Sequence, residues 1–167
     1  YHDIEVEDDV TAYFEFANGA TGTFITTTGD FPGTNRLEIS GTRGKLVVEK
    51  SGGPECGIND QCINFYRTTK DVDEHIKTSE YSFGGPECWK CEIYPKGENL
   101  QHIGITNNFC EAILHGTPLL APGQEGINGV MISNAIHMSD WLGAPVELPV
   151  DEDKFYEMLQ EKIKNST

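Results

Sequence analysis

Two cysteine pairs carry the first chemistry to weigh. Cys56 and Cys62 sit in "GGPECGINDQC", and Cys88 and Cys91 sit in "GGPECWKCEIY", so each pair opens on the same pentapeptide. Four thiolates converging at about 2.3 Å would make a tetrahedral zinc site, and the chain would then be a small metal module. The spacing argues otherwise. A Cys-x-x-Cys pair chelates from a tight knuckle, whereas Cys88-Trp89-Lys90-Cys91 runs straight into the strand-forming "EIY". Residues three apart on a strand point to opposite faces, about 10 Å from one another. The first pair has five intervening residues, more than a zinc knuckle uses. Beyond the shared pentapeptide the two copies diverge. They read as loops bounding strands, with zinc on Cys56, Cys62, Cys88 and Cys91 as the alternative.

"GQEGING" (Gly123–Gly129) invites a phosphate-binding reading, but its glycines are spaced Gly-x-x-Gly-x-x-Gly and follow "TPLLAP" rather than a strand. A dinucleotide fingerprint needs Gly-x-Gly-x-x-Gly between a strand and a helix, so this stretch reads as the start of a helix. The histidines are equally ordinary. His115 lies at a helix end, where the dipole favours it, and His137 flanks an apolar helix face. Asp71 and His75 have Asp-x-x-x-His spacing, and His137 and Asp140 form another acid/histidine pair. Neither pair has a third group or a nucleophile beside it. His102 differs, because it stands where the strands give way to the first helix, a junction whose loops can line a cleft.

Composition narrows the partners. Twelve Lys and Arg against 27 Asp and Glu give a net charge of −15, which repels phosphate backbones and anionic membranes. No apolar run reaches the length of a membrane span. Five cysteines suit a reduced, cytoplasmic protein better than a disulfide scaffold, and the closing Asn165-Ser166-Thr167 sequon is discounted for that reason. The 167 residues are enough for one domain that buries roughly 70% of its extended surface. The sequence enters strand-like residues almost at once, and reads as a domain cut from something longer.

The elements that must position these residues change character halfway. Val10, Ala12, Phe14 and Phe16 alternate with Thr11, Tyr13 and Glu15, the period of a half-buried strand. Asn18-Gly19 then predicts a type I′ hairpin into "ATGTFITTT". "NRLEIS" and "KLVVEK" continue a β-meander over the first fifty residues, with "CINFYR", "HIKTSEYSF" and "WKCEIY" as later strands. Tyr13, Thr23, Ile25 and Thr27 would share an outer face apolar enough for a subunit contact. After about residue 100 the period becomes helical. Ile105, Phe109, Ala112 and Ile113 share one face before Gly116, and Ile127, Val130, Met131, Ala135, Met138 and Leu142 share another before Gly143. Asp151 caps a last helix that carries Phe155, Met158, Leu159 and Ile163. Strands followed by helices predict an α+β fold: a predominantly antiparallel, open-faced sheet with helices on one face, in a single domain over 1–167. The helices argue against a stand-alone lectin-like module.

Three stretches in order resemble the C-terminal domain of the Gfo/Idh/MocA (glucose–fructose oxidoreductase, inositol dehydrogenase, rhizopine catabolism) oxidoreductases. They are "DDVTAYFEFANGATGTF", "RLEISGTRGKLVVE" and the helical region His102–Asp151. The resemblance implies a parent with an N-terminal Rossmann domain for NAD or NADP, joined to this substrate and assembly domain. It implies hydride transfer to or from a sugar or polyol, with the family's Glu-Lys-Pro lysine and its Asp-x-x-x-His helix outside this sequence. It implies a homo-oligomer built on the open sheet face, and inactivity of this domain alone. The loop "GDFPGTNR" and the approach to the first helix would face substrate, which nominates Asp30, Phe31, Asn35, Arg36, His102 and Asn108.

Overall fold

The computed structural model describes residue 4 and residues 6–31, 33–51, 62–95 and 100–166. These residues form two compact units. One combines residues 1–29 with 100–167, and the other is the continuous stretch 30–99. The α+β class expected from the sequence is observed, with strands that pair antiparallel and helices gathered toward the C-terminus.

In the first unit, β1 (Asp9–Glu15) pairs antiparallel with β2 (Thr21–Thr27). The register Tyr13↔Thr23, Thr11↔Ile25 and Asp9↔Thr27 puts the four residues expected to share an outer face on one side of the hairpin. Val10, Ala12 and Phe14 lie on the other side and are half-buried. The connecting turn is not the expected type I′. That turn needs positive φ at both central residues, and of Asn18 and Gly19 only Gly19 has it, at 84°. Instead Gly19 N–H donates to the Phe16 carbonyl (2.8 Å), and Phe16 N–H donates to the Ala20 carbonyl (2.9 Å). This is a three-residue loop, with the Asn18 side chain accepting from Ala20 N–H at 3.0 Å.

Three helices complete this unit: α2 (Gln101–His115), α3 (Gly123–Leu142) and α4 (Glu152–Asn165). Their ends follow the sequence closely. Gly116 and Gly143 adopt left-handed φ values of 69° and 61°. At the end of α3, Gly143 N–H reaches the Asp140 carbonyl and Ala144 N–H the Ser139 carbonyl, the Schellman pattern. The Asp151 side chain accepts from Lys154 N–H at 3.0 Å and caps α4. Ala135 and Met138 of α3 are buried, and Trp141 stacks on Phe155 of α4 with centroids 5.5 Å apart. The Lys162 ammonium lies over the other ring system of this pair, 5.6 Å from the Trp141 centroid. By contrast, Ile105, Phe109 and Ile113 of α2 share the face the sequence assigned them and are exposed within this chain.

The second unit is a four-stranded antiparallel sheet in sequence order: β3 (Thr34–Gly41), β4 (Gly44–Ser51), β5 (Cys62–Thr68) and β6 (Cys88–Ile93). The meander expected over the first fifty residues therefore divides at "GDFPG", with two strands in each unit. Register sorts this sheet into two unlike faces. Arg36, Glu38, Lys45, Glu49, Asn64, Tyr66, Lys90 and Glu92 share one, and Val47 lies buried among them. Leu37, Ile39, Leu46, Val48, Ile63, Phe65, Trp89 and Ile93 share the other, and Leu37, Ile39 and Trp89 are exposed within this chain.

The expected strand "HIKTSEYSF" is not formed. Its first residues belong to α1 (Val72–Thr78), and the rest is turn and bend. The cause is the Asp71 side chain, which accepts from Asp73 N–H at 2.9 Å and so starts a helix that local β propensity alone would not. The β3–β4 turn holds this cap in place: the Thr42 hydroxyl donates to Asp71 at 2.6 Å, and Val72 N–H donates to the Thr42 carbonyl at 2.7 Å. The Thr42 hydrogen bond is the main reason the Asp71 carboxyl is held below its ordinary pKa.

Candidate functional site

The loop nominated by the sequence runs from Gly29 into β3. Its start is fixed by Gly29 N–H donating to the Thr27 hydroxyl at 3.1 Å, and Gly33 turns the chain at φ 79°. Phe31 is 87% exposed, so its ring has an open face for a ligand. Asn35 and Arg36 follow at the beginning of β3, and successive strand residues point to opposite faces. Asn35 thus lies on the apolar side with Leu37, and Arg36 on the charged side with Glu38.

Arg36 is paired there with two carboxylates. Its two terminal nitrogens donate to Glu38 at 2.6 Å and to Glu49 at 2.7 Å. Lys45 adds a third bond, to the second Glu38 oxygen at 2.8 Å. Donation from Lys45, then from Arg36, takes the Glu38 carboxyl from its ordinary 4.5 to about 2. The guanidinium is held protonated in turn, chiefly by Glu38. A substrate anion at Arg36 would meet a charge already neutralised by these carboxylates. Across the same face, Lys90 donates to Glu92 at 2.6 Å, which lowers the Glu92 pKa and raises that of Lys90.

The other two candidates belong to the helical unit. His102 is in the first turn of α2, exposed, and its carbonyl accepts from the Thr106 hydroxyl at 2.9 Å. Asn108 is bound at both ends of its amide: it donates to the Pro118 carbonyl at 3.0 Å and accepts from Leu120 N–H at 2.8 Å. It pins the α2–α3 connection to α2. Six positions separate His102 from Asn108, and at 100° per residue they lie about 120° apart around the helix. The candidates therefore fall into two groups: Asp30, Phe31, Asn35 and Arg36 in the sheet unit, and His102 and Asn108 in the helical unit.

The zinc alternative gains no support. Cys88 and Cys91 both lie on β6, opposite Thr68 and Phe65 respectively, and so on opposite faces. Cys62 starts β5, at the far end of the sheet from Cys88. Cys56 lies outside the described residues, among which no cluster of three or more His, Cys, Asp or Glu could hold a metal. Gly123 is the first residue of α3 and Gly126 and Gly129 lie within it, behind the N-cap Pro122, so the stretch opens a helix as its spacing suggests. Every described strand pair is antiparallel, so no βαβ unit is formed from them.

Fold and site together define a class: an α+β domain that displays strand-end loops and open sheet faces. One family model matches part of the sequence that forms these elements. Residues 1–47 match the model of the GFO/IDH/MocA C-terminal domain, covering β1, β2, β3 and the start of β4. The recognition made on "DDVTAYFEFANGATGTF" and "RLEISGTRGKLVVE" is thereby supported, and the family is in general one of oxidoreductases. No curated protein matches the chain. Asp30, Phe31, Asn35 and Arg36 fall within the matched residues, whereas His102 and Asn108 do not. Among the described residues, no helix is long and apolar enough to cross a membrane.

Proposed function

We propose that this chain is the substrate-facing and assembly domain of an NAD(P)-dependent oxidoreductase acting on a sugar, a polyol or a related hydroxyl compound. The carrying observation is that the matched residues 1–47 span the hairpin, the Gly29–Arg36 loop and the start of the four-stranded sheet. In this reading NAD or NADP is bound by a separate Rossmann domain, and this chain supplies the opposite wall of the pocket. Phe31 offers its open ring to the C–H face of the substrate, and Asp30 and Asn35 hydrogen-bond its hydroxyls. His102 and Asn108 are the secondary candidates, and Arg36 shapes the start of β3 through its carboxylate pair. The apolar sheet face with Leu37, Ile39 and Trp89 supports assembly into a cytoplasmic homo-oligomer, as do Tyr13 and Ile25 on the hairpin.

Titration of the 15N-labelled chain with myo-inositol or D-glucose is expected to shift the amides of Asp30, Phe31, Asn35 and Arg36. Light scattering is expected to give a mass above that of one chain. Neither NAD(H) binding nor turnover is expected from this chain alone. Oxidation of a sugar by the chain with added NAD would defeat that assignment, as would ligand shifts that avoid the loop altogether.

A further inference from the structure

The stretch between α1 and β6 takes no part in the reading above. Here the end of α1 and the residues up to Gly84 surround a concavity of about 280 Å³. That is the small end of ligand-pocket sizes, which run from roughly 300 Å³ upward, and leaves room for one sugar-sized ring. Its lining mixes His75, Glu80 and Ser82 with Ile76 and Tyr81. Ser79 fixes the rim: its hydroxyl donates to the Tyr81 carbonyl and accepts from Tyr81 N–H, both at 3.1 Å. Tyr81 itself is 81% exposed, so its ring stands open at the cavity.

The polar groups define what can enter. His75 Nδ1 is buried with no hydrogen-bond partner, and an unpaired lone pair is cheaper than an unpaired N–H. The favoured tautomer therefore carries its proton on Nε2. Because Nδ1 is shut off from solvent, a ligand meets the ring by its other edge. Glu80 supplies carboxylate acceptors, and Ser82 a hydroxyl. Neither Lys nor Arg lines the cavity, so a phosphate or carboxylate would find no counter-charge.

We propose that this concavity binds a small neutral polyhydroxylated ligand. One ligand hydroxyl donates to Glu80, another accepts from the His75 imidazole N–H, and the C–H face rests on the Tyr81 ring. The inference stands on the cavity's own lining and adds a site apart from the Gly29–Arg36 loop. Titrating the 15N-labelled chain with myo-inositol or D-glucose should move the amides of residues 75–84 along saturating curves, with Kd in the roughly millimolar range of a small open pocket. Glu80→Gln and Tyr81→Ala alter exposed side chains, and each should weaken binding about 10-fold while leaving the circular dichroism unchanged. The proposal is overturned if residues 75–84 show no saturable shift, or if the double variant binds as well as the parent. Preference for tetramethylammonium over both polyols would overturn the ligand class. Shifts at Asp30–Arg36 without shifts at 75–84 would sink this inference and leave the proposed function standing; the opposite pattern would do the reverse.

Discussion

Gly44, at the start of β4, tests the packing of the four-stranded sheet most directly. Its φ is 141°, and a Cβ built on it would lie 2.0 Å from the Tyr66 carbonyl oxygen of β5. Contacts under 3.0 Å are essentially never seen for Cβ, so β4 would have to withdraw by about 1 Å, enough to break a hydrogen bond near 2.9 Å. Gly44→Ala therefore carries two costs. A backbone conformation close to glycine-only costs about 1–3 kcal/mol, and losing one or two ladder hydrogen bonds beside Arg67 and Tyr66 costs about 1 kcal/mol each. The sum, about 2–5 kcal/mol, is a large part of the 5–15 kcal/mol that typically holds a domain. Gly19→Ala is the matched control. Its φ is 84°, but nothing lies within 4 Å of the added carbon, so only a backbone cost of about 1–2 kcal/mol applies. The assay is urea unfolding in a Trp141→Phe background, followed by the emission of Trp89, whose ring meets Phe65 of β5 edge-on at 5.7 Å. Gly44→Ala should lower the midpoint seen by Trp89 well below that of the parent. A loss under about 1 kcal/mol, or no greater than Gly19→Ala causes by circular dichroism, would refute the steric reasoning.

Three further outcomes follow from hydrogen bonds and charge. Glu38 has a folded pKa near 2 against an ordinary 4.5, so its stabilising contribution is complete above about pH 4.5 and is lost as pH falls toward 2. The stability difference between the parent and Glu38→Gln should therefore shrink on acidification from pH 7 to pH 3, and a difference that grows would contradict the ladder. Asn108→Ala removes both bonds to the α2–α3 connection and should cost about 1–2 kcal/mol, read as faster amide exchange at Leu120 and a lower unfolding midpoint for the helical unit. Thr42→Val deletes the donor to Asp71, so amides of α1 should exchange faster while those of β5 are unchanged; equal loss in both would mean that α1 and the sheet open as one.

Much of the architecture was legible because it rests on local rules. Gly116 and Gly143 ended helices where left-handed residues were needed, and Asp151 began one where a carboxylate could reach free N–H groups. The strands "NRLEIS", "KLVVEK", "CINFYR" and "WKCEIY" formed because their alternation matched the pleat. Helix α1 carries a local signal, since Asp71-Val72-Asp73-Glu74 has the spacing of a capping box, but the β-branched and aromatic residues after it favour a strand by propensity. The division at "GDFPG" depends on pairings no short window contains, and the Asn18-Gly19 turn takes its form from closure at Phe16 and Ala20. The site was harder still. Whether Arg36 meets a substrate or two carboxylates is decided by its register against Glu49, and the division of the six candidates between two units is likewise a tertiary fact.

The helical unit is assembled from sequence segments on either side of the sheet unit, with the Glu7 carboxylate 3.6 Å from His137 as one link across that gap. Closing a loop as long as residues 30–99 costs about 4 kcal/mol in chain entropy before any contact across it is rewarded. The sheet unit bears no such charge, since each of its strands pairs with its neighbour in sequence. Local pairing of this kind favours early formation of the sheet unit, whose amides are expected to gain exchange protection during refolding before those that depend on contacts between residues 1–29 and 100–167.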